Sequence, residues 1–178
     1  MRMLFEIDKK DYTPGGTMRV RPSARAIIID HDKIGMIYSK QFNYYKFPGG
    51  GIVDGEDNIA ALVREVLEET GHSVIEESIQ EYGQVRRIHK GEDVDIFMQD
   101  NYYFFCQINN HDEQQNLDAY EADEGFTFQF VEPQVVVCTN EETIPKLSAF
   151  RQAMLERESR VTEMLMNEGY FNCQNDND

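Results

Sequence analysis

The sequence predicts an α/β fold, a mixed sheet sandwiched between helices, on three observations. Residues 59–67 carry apolar side chains at helical spacing, residues 126–130 alternate with a period of two, and a second helical pattern occupies the C-terminal part of the chain. Strands interleaved with one mid-chain and one late helix suit a sheet covered on both faces. At 178 residues the length suits one domain with a sizeable core. No linker or internal repeat divides the chain. We therefore expect a single domain over residues 1–178, its core at about 19–168 and a disordered polar tail at 172–178.

Taken in order, a short strand near Leu4 and Ile7 precedes the turn Pro14-Gly15-Gly16. Residues 24–29, Ala-Arg-Ala-Ile-Ile-Ile, read as a strand partly buried on both faces. The turn His31-Asp32-Lys33 reverses the chain, and residues 34–39 return as its hairpin partner. Tyr44-Tyr45-Lys46-Phe47 is a short extended segment feeding Pro48 and three glycines. Beyond the first helix, residues 73–79 are extended or irregular and residues 84–90 alternate loosely up to a turn at Gly91. Residues 101–108, with Tyr102-Tyr103-Phe104-Phe105-Cys106, form the most apolar strand. Residues 109–118 are polar and aperiodic, a surface loop. Phe126, Phe128 and Phe130 then put one aromatic face on a strand. Pro145 opens the last helix with Thr143 as its cap; Leu147, Phe150, Met154, Val161 and Leu165 line one side, and Gly169 stops it.

Residues 50–72 are the most informative stretch. A glycine turn, Pro48-Gly49-Gly50-Gly51, leads through Asp54-Gly55-Glu56 into a helix whose apolar stripe is Ile59, Leu62, Val63, Val66 and Leu67. Gly71 sits where helices end in the left-handed conformation. Glu65, Glu68 and Glu69 gather on a face away from that stripe. Like charges at these spacings cost about 0.2–0.5 kcal/mol per pair, and the last turn of a helix prefers cations. A divalent cation would turn this repulsion into coordination.

The same residues resemble the signature of the Nudix hydrolases. Gly50, Glu56 and the run Arg64-Glu65-Val66-Leu67-Glu68-Glu69-Thr70-Gly71 fill every charged and glycine position of that motif. His72 departs from it, standing where the family usually has an aliphatic side chain under the helix end. The resemblance implies a Nudix-type α/β/α sandwich in which the motif helix and the preceding loop form one wall of the active site. It implies hydrolysis of a nucleoside diphosphate linked to another group, with Mg²⁺, or Mn²⁺ in its place, held by oxygen ligands.

By resemblance, Glu68 and Glu69 are the principal metal ligands, Glu65 is a ligand or a base, and Arg64 orients Glu65. Glu56 and Gly71 are structural parts of the motif, and Gly49 or Gly50 offers a carbonyl as a further ligand. Gly50 and Gly51 let the backbone approach metal or phosphate closely. Some relatives use another carboxylate before the late strand. Here that region holds Glu121, Asp123 and Glu124, with Asp112 and Glu113 further off, and Glu121 and Glu124 are the candidates. Lys46, next to the glycine turn, is the leading candidate for substrate phosphates, the alternative being a cation that balances a very acidic chain. Arg25, Arg86 and Arg87 read as that or as solvated surface cations, and His89 as a solvent-facing strand position. Tyr44, Tyr45, Tyr102 and Tyr103 are core residues or platforms for a base.

A net charge of -16 argues against nucleic-acid or anionic-membrane partners, though an anionic small molecule can bind where cations stand between. Cys106, Cys138 and Cys173 show no paired spacing and read as free thiols, with Cys106 in the core. With no signal-peptide pattern at the N-terminus, the expected compartment is the cytoplasm. The resemblance makes a homodimer an expected assembly.

The motif leaves the substrate open. The proline that many ADP-ribose hydrolases of the family carry soon after it is absent, as is the tryptophan-containing run of the NADH hydrolases. A normal or oxidised nucleoside triphosphate leads, followed by a nucleotide sugar, ADP-ribose or dinucleoside polyphosphate, with RNA caps third. A ligand sensor without catalysis is the alternative of another class, and such modules tend to lose the acids present here.

Overall fold

The computed structural model describes residues 1–109 and 114–171. The expected tail at 172–178 lies outside the described residues, as do His111, Asp112, Glu113 and Cys173.

Two sheets form the centre. The first contains β1 (Met3–Asp8), β2 (Met18–Val20), β3 (Ser23–Ile27), β7 (Val74–His89) and β8 (Ile96–Ile108). β7 and β8 are antiparallel, while β1 on β7 and both β2 and β3 on β8 are parallel, so this sheet is mixed. The second contains β4 (Ile29–Asp30), β5 (Lys33–Ser39), β6 (Tyr44–Lys46) and β9 (Phe126–Val131), antiparallel throughout. The strand expected over 24–29 is thus two strands. The chain leaves the first sheet after Ile27 and enters the second at Ile29, while the Ile28 carbonyl accepts from Gly35 N at 2.8 Å.

Helix α1 (Asn58–Thr70) starts at Asp57, whose carboxylate accepts from Ile59 N and Ala60 N at 2.9 and 2.8 Å. It stops at Gly71, left-handed with φ 73°, whose N–H donates to Leu67 O. Its apolar side packs on Ala24, Ala26, Ile28, Phe104 and Cys106. Leu62 and Val66 are fully buried there, each contributing about 1.5–3 kcal/mol. The small Ala24 and Ala26 let the helix lie close to β3.

On the opposite side, α3 (Pro133–Thr143) and α4 (Ala149–Asn167) bury Val136, Val161 and Leu165 against Ile27, Met36, Phe47 and Tyr103. β3 feeds both cores because its side chains alternate. This is the expected layered α/β arrangement, with two corrections. Pro145 does not open the last helix: it lies in a 3₁₀ turn that continues α3, and α4 begins after Ser148. Helix α3 itself was not anticipated, since its Val135-Val136-Val137 run reads as strand. What fixes it is Asn140, whose side chain pairs with both backbone groups of Tyr45 on β6, at 2.8 and 2.9 Å. Among the described residues no helix is long and apolar enough to cross a membrane.

Candidate active site

The segment after β6 lies along the edge of β3. Ala26 N donates to Pro48 O at 2.8 Å and Ala24 N to Gly50 O at 3.0 Å. Gly49 has φ 130°, and a Cβ there would stand 2.1 Å from the Ala24 carbonyl oxygen, so only glycine fits. This pairing holds the turn against the carboxylate side of α1.

Four acids meet the turn or its neighbours through two cations. Arg64 donates Nε and Nη2 to Glu56 at 2.8 and 2.9 Å, and Nη1 to Glu65 at 2.7 Å and Glu68 at 3.1 Å. Its Nη2 also reaches Gly51 O at 3.1 Å. The bidentate Arg64 pair, helped by Val53 N, holds the Glu56 carboxyl below its ordinary range. One oxygen of Glu65 takes Arg64; the other lies 2.2 Å from where a Cβ on Gly50 would be. The glycine is therefore needed to make room for the carboxylate.

Glu69 is placed differently from the sequence expectation. It is only 1% exposed and lies within the buried stripe rather than on a separate acidic face. It stands seven residues after Leu62, and a helix drifts only about 20° in seven residues. Lys46 Nζ meets its Oε1 at 2.5 Å, and Gly49 N donates to its Oε2 at 2.8 Å. Burial pushes the carboxyl up to about 7, with Lys46 opposing and the charge of Glu121 adding to the rise. Lys46 is itself buried against Glu69 and Gly49 O, so it balances a carboxylate.

Glu121 and Glu124 sit in a short helix, α2 (Ala119–Glu124), just beyond the segment expected as a surface loop, 109–118. Asn116 N bonds Glu68 O at 2.9 Å, and Gln115 bonds Glu69 O, tying this segment to the end of α1. The two carboxylates are used in different ways. Glu124 accepts from Tyr44 at 2.7 Å, Ser39 at 3.2 Å and Arg151 at 2.6 Å. Glu121 accepts from Tyr120 at 2.8 Å and faces the Glu69 charge. His72 packs its ring edge-on against Phe128 below the end of α1, 5.6 Å between centroids.

These groups border a cleft of about 370 Å³. Its lining includes Lys46, Gly50, Glu65, Glu121 and Glu124, but also Arg25, Arg87 and Arg157. Arg25 on β3 donates to Gly49 O. Arg87 on β7 reaches Gln99 Oε1 at 3.0 Å and stacks on Phe150, 4.8 Å to the ring centroid. Arg157 on α4 bonds Asn101 and Glu158. Burial, with the like charges of Arg157 and Arg25, pushes Arg87 down to about 9. Reading Arg25 and Arg87 as solvated surface cations is therefore wrong, and so is the solvent-facing His89, which is buried against Phe97 and Phe150. Arg86 does lie nearer the surface, paired with Asp100 at 2.8 Å. Arg157 was missed altogether. Its signal is the gap in the α4 stripe between Met154 and Val161, which Arg157 and Glu158 fill.

Among the described residues, no group of three or more His, Cys, Asp or Glu side chains converges closely enough to hold a metal ion. Arg64 draws Glu65 and Glu68 together, and Lys46 holds Glu69. The donor chemistry still fits a hard divalent cation. The donors are all oxygen, one is a buried carboxylate with a raised proton affinity, and Gly50 leaves a cradle beside Glu65 that a Cβ would fill.

A family profile described as "NUDIX domain" matches residues 19–153. Among solved structures, a NUDIX hydrolase from Nitrosomonas europaea is similar with a TM-score of 0.52 and 22% identity, over 69% of this chain and 79% of that one. A MutT NUDIX hydrolase from Burkholderia pseudomallei has a TM-score of 0.50 and 16% identity, over 65% and 85%. At such identities the likeness concerns the fold alone. No curated protein matches the chain.

Proposed function

From the premise that this chain belongs to the Nudix family and is a Nudix pyrophosphohydrolase, we propose that it uses magnesium to cleave a nucleoside diphosphate linked to another group, foremost a normal or oxidised nucleoside triphosphate. The observation that carries this reading is the pairing of Glu65 and Glu69 with the turn: one carboxylate against Gly50, the other bonded to Gly49 N.

Nudix hydrolases in general depend on a divalent metal. Here Glu65, Glu68 and Glu69 would hold it, with manganese able to replace magnesium. When bound, the ion would neutralise phosphate charge and make water more acidic. The chain's own residues do the rest. Arg64 fixes the direction of Glu65 and Glu68, and Glu56 fixes Arg64. Glu65, which lines the cleft, is the candidate base for the attacking water, and Glu121 is the second candidate. Tyr120, whose ring is exposed at the cleft, supplies flat apolar surface for a base or sugar. We place the activity in the cytoplasm, on a small anionic substrate, and take a homodimer as the assembly to test.

The test is phosphate or pyrophosphate release from a panel of nucleotides, with and without magnesium or manganese. Glu68→Gln and Glu69→Gln should each lower turnover by about two orders of magnitude or more with the fold intact. Wild-type rates in both variants would remove the catalytic assignment. A nucleotide sugar or dinucleoside polyphosphate turned over faster than any triphosphate would transfer the substrate reading to that class. Nucleotide binding with no turnover of any substrate would favour a sensor.

A further inference from the structure

We propose that Arg25, Arg87 and Arg157 form a ready-made anion subsite in the cleft, and that the group attached to the cleaved diphosphate carries a negative charge of its own, as the end phosphate of a triphosphate does. The three guanidinium groups come from β3, β7 and α4 and all line the cleft. They are 8%, 2% and 0% exposed. Among the described residues, the carboxylate bonded to the trio is Glu158, itself fully buried. The remaining partners are neutral: Gly49 O, Gln99, Asn101 and the Phe150 carbonyl, the last at 3.4 Å.

Three buried positive charges thus share one negative charge. Removing an ion from water is costly unless it is paired and hydrogen-bonded, and here the Nε atoms of all three arginines have no hydrogen-bond partner. A purely structural network would be expected to neutralise itself. Among the described residues this one is bonded to a single carboxylate, and where it meets the cleft a phosphate can supply the acceptors its guanidinium groups lack. Gly49 joins this side to the acids, because its N–H goes to Glu69 and its carbonyl accepts from Arg25. A diphosphate held beside Glu65 and Glu69 would therefore have its neighbouring group next to the arginines. An uncharged sugar there would leave them unpaired, whereas a third phosphate would not. Arg157 also lies beyond the residues 19–153 that match the family profile, so this charge is set by the chain's own C-terminal helix.

The identity of the ligand rests on the hydrolase reading above; the charge of the subsite does not. The probe is inorganic tripolyphosphate, titrated into the full chain in EDTA, with binding read by calorimetry and by the rise in unfolding temperature. At a net charge of -16 the surface as a whole repels this probe. Wild type should bind it, Arg25→Gln and Arg87→Gln should each weaken binding at least tenfold, and Arg87→Lys should keep most of it. Arg19→Gln, at an exposed pair with Asp93, is the control and should change nothing. Unfolding curves without ligand establish that each variant is folded.

No binding by wild type, or equal binding by the Gln variants, overturns the subsite. With magnesium, Arg87→Gln should also lower kcat/KM for a nucleoside triphosphate more than for a nucleotide sugar. Triphosphate turnover that ignores both Gln variants removes the subsite and leaves the hydrolase. Arginine-dependent tripolyphosphate binding without turnover of any nucleotide does the reverse.

Discussion

The acidic and basic sides of the cleft are built on opposite principles. The acids crowd a single helix and its preceding loop, and each has a cation at hand. Arg64 serves Glu56, Glu65 and Glu68, and Lys46 serves Glu69. The arginines come from three elements far apart in sequence and, among the described residues, have one carboxylate, Glu158, bonded to them. A metal entering the acidic side must therefore compete with cations already in place. An anion entering the basic side meets two guanidinium groups, Arg25 and Arg87, to which no carboxylate is bonded among the described residues. The acids are expensive to assemble because they are alike and adjacent, the arginines because they are alike and dry.

The strongest way to break this contrast is to remove the carboxylate bonded to the basic side, Glu158. Glu158→Gln should destabilise the protein by about 3–5 kcal/mol, the usual consequence of leaving buried charge unpaired. Chemical denaturation measures it. The same variant sharpens the comparison, since tripolyphosphate should then raise its unfolding temperature more than that of wild type. A loss under about 1 kcal/mol would mean that water already reaches the arginines.

The second change acts on the acidic side and should be smaller. In Gly50→Ala the new methyl meets the Glu65 carboxylate, which must turn away. The carboxylate is the far end of a flexible side chain, so stability should change little. The decisive readout is magnesium titration by activity, where the half-saturating concentration should rise by about tenfold or more while the fold persists. An unchanged titration would show that Glu65 is not needed next to the turn.

The same contrast explains what could be seen in the sequence. A glycine turn, a helix and three acids within 23 residues, 50–72, form a local pattern, and its spacing alone brings Glu65 and the turn together. Layered α/β architecture and the β9 strand were legible for the same reason, since period and turn residues are local signals. Glu69 was misread in its burial, because its place in the apolar stripe is hidden by its charge. The arginine group has no local pattern. Arg87 looks like a strand surface residue until β7 pairs with β8 and sets it beside Gln99, and Arg157 until α4 covers that face. The signs were charged residues occupying core positions of an apolar period: Val85, Arg87 and His89 on one strand face, and Arg157 between Met154 and Val161. Helix α3 was missed because a tertiary bond, Asn140 to the edge of β6, outweighs the strand preference of three valines.

The last expected effect concerns protons on the acidic side. Glu69 is pushed up to about 7 in the folded protein, chiefly by burial, against an ordinary value of 4.5. Below pH 4.5 the group is protonated in both folded and unfolded chains and contributes nothing. Between 4.5 and 7 the folded form keeps a proton that the unfolded form has released, so stability falls as pH rises through that window and stays reduced above it. Gln cannot titrate. The difference in unfolding temperature, Glu69→Gln minus wild type, should therefore move in the variant's favour by several degrees from about pH 5 to about pH 8, measured in EDTA. Magnesium at the higher pH should stabilise wild type and not the variant, which reverses the order. Parallel curves across that range, with or without the ion, would mean that Lys46 already satisfies Glu69 fully, and that the acidic side has no vacancy of charge for a metal to fill.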